Sequence, residues 1–209
     1  MKLYDFAMAP NSRRVRIFIA EKNIKVPVEQ VDLLSGENLE EKYRKKNQFC
    51  LVPTLELDDG TCIDEAPAIC SYLESCYPEP RLLGTTPLEI AHVQSWDRHM
   101  ENQGLACVGE MFRNGFAGFK NRSLPGRDGD KAIPALIERG RRGVEFFYEH
   151  LESRLQQSKY IAGDTYSLAD ITAFCAIEFA TTLKMPTPEG NTKSRSWYDS
   201  VAQRPATKA

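Results

Sequence analysis

The sequence predicts an α/β domain over residues 1–79, a linker over 80–87 and an all-helical domain over 88–209. Three observations predict it. Strand-like and helical stretches alternate as β-α-β-α-β-β-α through Tyr77, Pro78–Pro87 is crowded with residues that cannot continue a helix, and no convincing strand follows. Two strands joined by a helix ask for a parallel pair, while an Asp-Gly turn asks for an antiparallel hairpin, so the four-stranded sheet is mixed.

Lys2–Phe6 is the first strand, with Leu3, Tyr4 and Phe6 as its apolar positions. Pro10 breaks it, and Asn11 and Ser12 are residue types that cap a helix. That helix carries Val15, Ile17, Phe18, Ile19 and Ala20 and ends at Glu21-Lys22-Asn23. β-Branched Val26, Val28 and Val31 mark the second strand, Val26–Val31. Leu39–Lys46 is a short polar helix. Leu51–Leu57 is the third strand, and Asp58-Asp59-Gly60 turns it into the fourth, Thr61–Ile63. Pro67 suits the first turn of the helix Ala66–Tyr77.

Beyond the linker, Leu88–Arg113 reads as one long helix with Ile90, Val93, Trp96, Met100, Leu105 and Val108 at helical spacing. Gly115–Gly129 is a loop, and Pro134–Leu155 a second long helix. Ser167-Leu168-Ala169-Asp170 has the form of a capping box, with Tyr166 and Ile171 placed as a hydrophobic staple. The following Thr172–Leu183 holds a single charge, Glu178, so this helix is central and buried, and Asp170 is a structural residue.

Composition excludes several classes. Of 209 residues, 42% are hydrophobic and 27% charged, the mixture of an ordinary globular chain, and the formal net charge is −2. Neither part has the basic excess that nucleic acid requires. Met1–Phe6 lacks the apolar core of a signal peptide, and no apolar run approaches the roughly 20 residues of a membrane span, so a cytoplasmic protein without a membrane partner is expected. Cys50, Cys62, Cys70, Cys76, Cys107 and Cys175 show no C-x-x-C and no zinc-type pairing, and are read as reduced packing thiols.

Four motifs stand in a telling order. They are Ala9-Pro10-Asn11-Ser12-Arg13-Arg14-Val15-Arg16-Ile17 after the first strand, Val52-Pro53 before a hairpin, Glu65-Ala66 before a helix, and Ser167-Leu168-Ala169-Asp170. In this order and spacing the chain resembles, over its whole length, the cytosolic glutathione S-transferase family of bacterial type. The resemblance implies a thioredoxin-like first domain that binds glutathione and a helical second domain that shapes the pocket for a small electrophile. It implies no metal, no cofactor beyond glutathione as co-substrate, and a homodimer. It also implies that Pro53 is cis and that the Val52 backbone pairs with the cysteinyl part of the tripeptide as a short added strand. Glu65 then holds the γ-glutamyl ammonium, the Ala66 N–H receives its carboxylate, and Asn38 stands where the glycyl carboxylate is often contacted.

A free thiol titrates near about 8.5, and lowering that to about 6.5 takes roughly 2.7 kcal/mol of preference for the thiolate. A helix N-terminus supplies about 0.3–1 kcal/mol, and a hydrogen bond donated to a charged acceptor about 1.5–3. Asn11 and Ser12 are therefore joint catalytic candidates, with backbone N–H groups taking part of the task; the other reading is that both only cap the helix. Arg13, Arg14 and Arg16 are cations in a first helical turn, which oppose its dipole unless an anion or thiolate is near, and Arg13 is a candidate glutathione contact; solvated arginines or salt bridges at a domain or subunit junction are the alternative.

The chain also departs from the family pattern. Ala9 stands where relatives place serine or cysteine, Ala66 where a hydroxyl is usual and Leu51 where lysine is common. These departures keep a non-catalytic binding or regulatory protein as the alternative. Within the family, a glutathione-dependent isomerase is disfavoured by the lack of a serine-rich turn, and a disulfide reductase is favoured by Asn11. Met8, Trp96, Met100, Phe112, Phe116 and Phe119 are plausible linings of the second pocket, with Trp197 and Tyr198 closing it, although a stripe at helical spacing is more often core.

Overall fold

The computed structural model describes residues 1–209. β1 (Lys2–Asp5) pairs in parallel with β2 (Val28–Gln30) and antiparallel with β3 (Thr54–Glu56), which pairs antiparallel with β4 (Cys62–Asp64). The order β2-β1-β3-β4 is the mixed sheet the sequence predicts. α1 (Pro10–Glu21) makes the crossover that a parallel pair needs.

The strands are shorter than expected, for local reasons. Pro27 and Pro53 have no N–H to extend β2 and β3 backwards. The polar helix likewise divides into a 3₁₀ turn, Glu37–Leu39, and a short α2 (Glu41–Arg44). α3 (Ala66–Cys76) follows β4.

The linker is anchored rather than loose. Lys22, buried at the end of α1, pairs with Glu74 of α3 and donates to the Pro80 and Pro78 carbonyls at 2.5 and 3.3 Å. Glu74 in turn accepts from the Leu82 and Leu83 N–H groups at 2.9 and 3.1 Å. A buried cation with a carboxylate and two carbonyls has its charge answered from every side.

α4 (Pro87–His99) opens with a capping box, the Glu89 N–H donating to Thr86 Oγ1 and the Thr86 N–H to Glu89 Oε2. The long helix predicted through Arg113 is interrupted by a π segment, Met100–Leu105, before α5 (Ala106–Gly115). A Cβ on Gly104 would lie 2.9 Å from Ala176 Cβ and 3.0 Å from the Phe147 ring, so its missing side chain lets the wide turn press on the neighbouring helices.

α6 (Ala135–Leu155) and α7 (Leu168–Thr182) complete the bundle, and α8 (Thr192–Ala202), which no sequence pattern marked, covers it with Trp197 and Val201. α7 is central, buried along most of its length as its near-uncharged sequence requires. One core of 34 buried residues runs from Leu3 and Phe18 to Trp197, so the two parts pack as one body. All six cysteines are free, and no helix is long and apolar enough to cross a membrane.

Candidate active site

The sheet register brings the motifs together. Tyr4 pairs with Thr54, Thr54 with Asp64, and Asp5 with Gln30. The C-terminal ends of β1, β2 and β4 and the N-terminal end of β3 therefore share one edge of the sheet. From that edge leave the Ala9–Ser12 turn, the loop to Asn38, the Val52–Pro53 pair and the Glu65–Ala66 pair.

At the start of α1 the N-cap is Ala9, with Pro10 just inside the helix, so neither Asn11 nor Ser12 caps it as their residue types suggested. Proline tolerates this position and pushes the non-helical residue back to Ala9. An alanine side chain accepts nothing, so the first turn keeps two of its donors: the Arg13 N–H reaches the Ala9 carbonyl at 3.0 Å, while the Asn11 and Ser12 N–H groups have no acceptor within the chain.

The side chains here divide in role. Ser12 is fully buried, its Oγ accepting from the Phe6 N–H at 3.4 Å under the turn. Asn11 Oδ1 accepts from Arg14 Nη1 at 3.0 Å. Guanidinium only donates, so this bond fixes the amide with its oxygen inward and leaves the Nδ2 donors free.

The three arginines are held within the chain. Arg13 pairs with Glu178 at 3.0 Å and donates to Thr207 O at 3.2 Å, tying α1 to α7 and the C-terminal turn. Fully buried Arg14 meets Asp97 at 3.2 Å and Glu101 at 3.4 Å, and Arg16 meets Asp5 at 2.6 Å. Burial pulls the Arg14 guanidinium down, but the two carboxylates outweigh it and hold it above its ordinary value. The Arg13 and Arg14 pairs cross the domain junction, while the Arg16 pair lies within the first domain.

Val52 and Pro53 lie on a braced loop. Tyr43 Oη donates to Leu51 O at 2.6 Å and Asn47 Nδ2 to the same oxygen at 3.0 Å. Asn38 Nδ2 donates to Cys50 O at 2.7 Å, and Cys50 itself sits at φ 56°. One Nδ2 donor of Asn38 is thus held by this loop, and its Oδ1 has no partner. The Val52–Pro53 peptide is cis, and the Val52 N–H and C=O bond no other backbone group.

Glu65 precedes α3 at φ 63°, exposed, its carboxylate capping nothing. A non-glycine residue held there is strained by about 1–3 kcal/mol, the kind of cost found at ligand sites. The adjoining Ala66 N–H has no backbone acceptor.

The second-pocket candidates separate clearly. Met100 is core, Trp197 donates to Asp170 at 2.9 Å inside the bundle, and Tyr198 stacks on Phe174 and bonds Glu178. Trp96 lies beneath the Arg154 guanidinium, 4.6 Å away. Phe112 and Phe116 stack at 5.0 Å, with Phe119 and Phe179 at their edges, and Met8 stands 71% exposed on the turn before α1. Sequence reasoning missed Arg122, which crosses from the second domain to donate to the Leu33 and Leu34 carbonyls at 2.8 Å. Nothing local in its loop marks such a long-range contact.

Comparison with known proteins agrees with this arrangement. The glutathione S-transferase N-terminal domain model matches residues 3–81 and the C-terminal domain model residues 116–205. The chain is 34% identical to Glutathione S-transferase 2 of Saccharomyces cerevisiae, over 100% of this chain and 88% of that one. It is similar to the solved structure of Gtt2 from Saccharomyces cerevisiae, with a TM-score of 0.92 at 32% identity, over 100% of this chain and 99% of that one. A maleylacetoacetate isomerase of Pseudomonas aeruginosa is 30% identical over 69% of this chain and 84% of its own length. With both domain models matched in order and the full-length relative superposing end to end, the chain belongs to the glutathione S-transferase family.

Proposed function

We propose that this protein is a glutathione transferase that holds bound glutathione as a thiolate at the N-terminus of α1. The observation that carries the reading is the uncapped first turn. Two backbone N–H groups and the Asn11 Nδ2 amide remain without acceptors, at the sheet edge where Val52 offers a free backbone and Glu65 a free carboxylate.

The energetics agree. A helix N-terminus and one amide donor together supply about 2–4 kcal/mol, against the roughly 2.7 kcal/mol needed to bring the thiol to about 6.5. In this reading Val52 takes the cysteinyl backbone, Glu65 the γ-glutamyl ammonium and the Ala66 N–H its carboxylate, with glutathione as the only co-substrate. The sulfur then forms a bond to an electrophilic carbon as a leaving group departs with its electron pair. With a disulfide it displaces one sulfur to give a mixed disulfide, which a second glutathione thiolate resolves. Residues 1–79 bind the tripeptide and residues 88–209 face the second substrate. A homodimer belongs to the same reading, and sedimentation at a twofold molecular mass tests it.

Asn11→Ala is expected to lower kcat/KM about tenfold near pH 6.5, from a loss of about 1.5 kcal/mol, with the deficit closing near pH 9 where the thiol ionises unaided. Ser12→Ala is expected to cost stability at the turn and leave the pH profile in place. Unchanged rates and profile in Asn11→Ala would remove the amide from the mechanism. The isomerase relatives favour a second reading, isomerisation with glutathione regenerated, which shows as turnover without glutathione consumption.

A further inference from the structure

Two arginines at the domain junction form no salt bridge with any carboxylate of the chain. Arg113 of α5 and Arg122 of the following loop lie over the same ring, their guanidinium carbons 4.8 and 5.2 Å from the centre of Phe119. The chain answers them only with carbonyl oxygens. Arg113 Nη1 donates to Arg122 O at 2.9 Å, and Arg122 donates to Leu33 O, Leu34 O and Gly118 O.

No carboxylate forms a salt bridge with either, in a chain whose other buried or half-buried arginines mostly have one. Of the nearby acids, Asp32 accepts from the Leu34 N–H at 2.8 Å within its own turn, which with a smaller pull from the Arg122 charge holds its carboxyl below the ordinary value, and Asp130 pairs with Arg127 at 2.7 Å. Burial first, and then the Arg122 charge, pull the Arg113 guanidinium down to about 10. Two like charges sharing one ring in a desolvated place repel, and a bound anion relieves both.

The surroundings select the kind of anion. Phe112, Phe116, Phe119 and Phe179 form a continuous aromatic cluster beside the pair, its outer member Phe116 43% exposed. A Cβ on Gly118 would lie 2.7 Å from the Phe116 ring, so a glycine is what lets that ring fold back into the stack. Through Arg122 the cluster borders Leu33, which packs against the small core of Tyr4, Val31, Tyr43 and Val52 beneath the same sheet edge.

We propose that Arg113, Arg122 and the adjoining phenylalanines form a carboxylate site that takes an aromatic carboxylate as second substrate. The glycyl carboxylate of glutathione presents the same chemistry from a second source. The catalytic arm of this proposal rests on the glutathione-transfer reading; its binding arm does not.

The test uses the full chain. Calorimetric binding of unreactive dinitrobenzoate is compared with dinitrobenzamide, and of glutathione with its glycyl ethyl ester, in wild type, Arg113→Gln and Arg122→Gln. The wild type is expected to prefer the benzoate by about tenfold or more, and both variants to lose that preference. In turnover, chlorodinitrobenzoate is expected to outpace its amide by a similar ratio; there the thiolate sulfur bonds the chlorinated ring carbon and chloride leaves with the bonding pair.

If instead the ester is the discriminated ligand and the variants abolish that, the carboxylate site stands with glutathione as its source and the aromatic assignment falls. Equal binding of benzoate and benzamide together with equal binding of glutathione and ester in the wild type overturns the site, as does a preference that survives Arg113→Gln. Arg113→Gln alone decides the matter if Arg122→Gln, which loses three carbonyl contacts, does not fold. Benzoate binding without any turnover would fault the transferase reading and leave the site intact.

Discussion

Asp170→Ala is expected to lose about 3–5 kcal/mol of stability, because it strands several buried donors at once. The carboxylate is fully buried and serves four donors. Oδ2 accepts from the Ser167 N–H and Oγ–H at 3.0 Å each, and Oδ1 accepts from the Ile161 N–H at 3.1 Å and Trp197 Nε1 at 2.9 Å. Removing it strands all four inside the core, and it unties α7 from both the segment before it and α8. For a chain of this size each kcal/mol is worth about 2–4 °C, so a thermal midpoint lower by about 6–20 °C is the readout.

Asp170→Asn adds a signed test. Burial pushes the Asp170 carboxyl up to about 6 against the opposing hydrogen bonds. A raised carboxyl pKa contributes stability that is full below the unfolded value near about 4 and is lost as pH rises through about 6. Asparagine does not titrate, so the deficit of Asp170→Asn relative to wild type is expected to be larger at pH 4.5 than at pH 7.5, measured by denaturant unfolding. A deficit that grows with pH would mean the buried carboxylate is favoured as an ion.

Glu65→Ala is expected to weaken glutathione binding about 10–150-fold, the equivalent of about 1.5–3 kcal/mol for one charge-assisted contact to the γ-glutamyl ammonium. The backbone adds a second sign. At φ 63° an alanine keeps the strain that Glu65 bears, whereas glycine occupies this region freely. Glu65→Gly is therefore expected to bind glutathione as poorly as Glu65→Ala while folding more stably than it by about 1 kcal/mol, after the extra freedom of glycine in the unfolded chain is subtracted. Equal stability of the two variants would show that the φ of residue 65 carries no cost.

The contrast between what was legible and what was not follows range of interaction. Sheet class was readable because strand pairing is dictated by connection type: the α1 crossover forces the parallel pair and Asp58-Asp59-Gly60 the hairpin. The Ser167–Asp170 box was readable because a cap is a three-residue geometry. The break in the long helix was not, because Gly104 matters only through Ala176 and Phe147, which are remote in sequence. α8 escaped notice because its polar face dominates a stretch whose packing hangs on Trp197 and Val201.

At the site, Glu65, Val52 and Pro53 share one sheet edge, and the Val52–Pro53 peptide is cis. The residue types of Asn11 and Ser12 suggested capping, and Pro10 moved the cap to Ala9 instead. Arg13 and Asn38 also bond within the chain, to Glu178 and to the Cys50 carbonyl, and no local pattern reveals such contacts.

The ultraviolet band of the glutathione thiolate, followed through a pH titration of the saturated protein, tests the central claim most directly. A midpoint near about 6.5 is the result predicted for a sulfur held by the free donors of the first turn of α1. A midpoint at the free-thiol value of about 8.5, with glutathione bound, would contradict it.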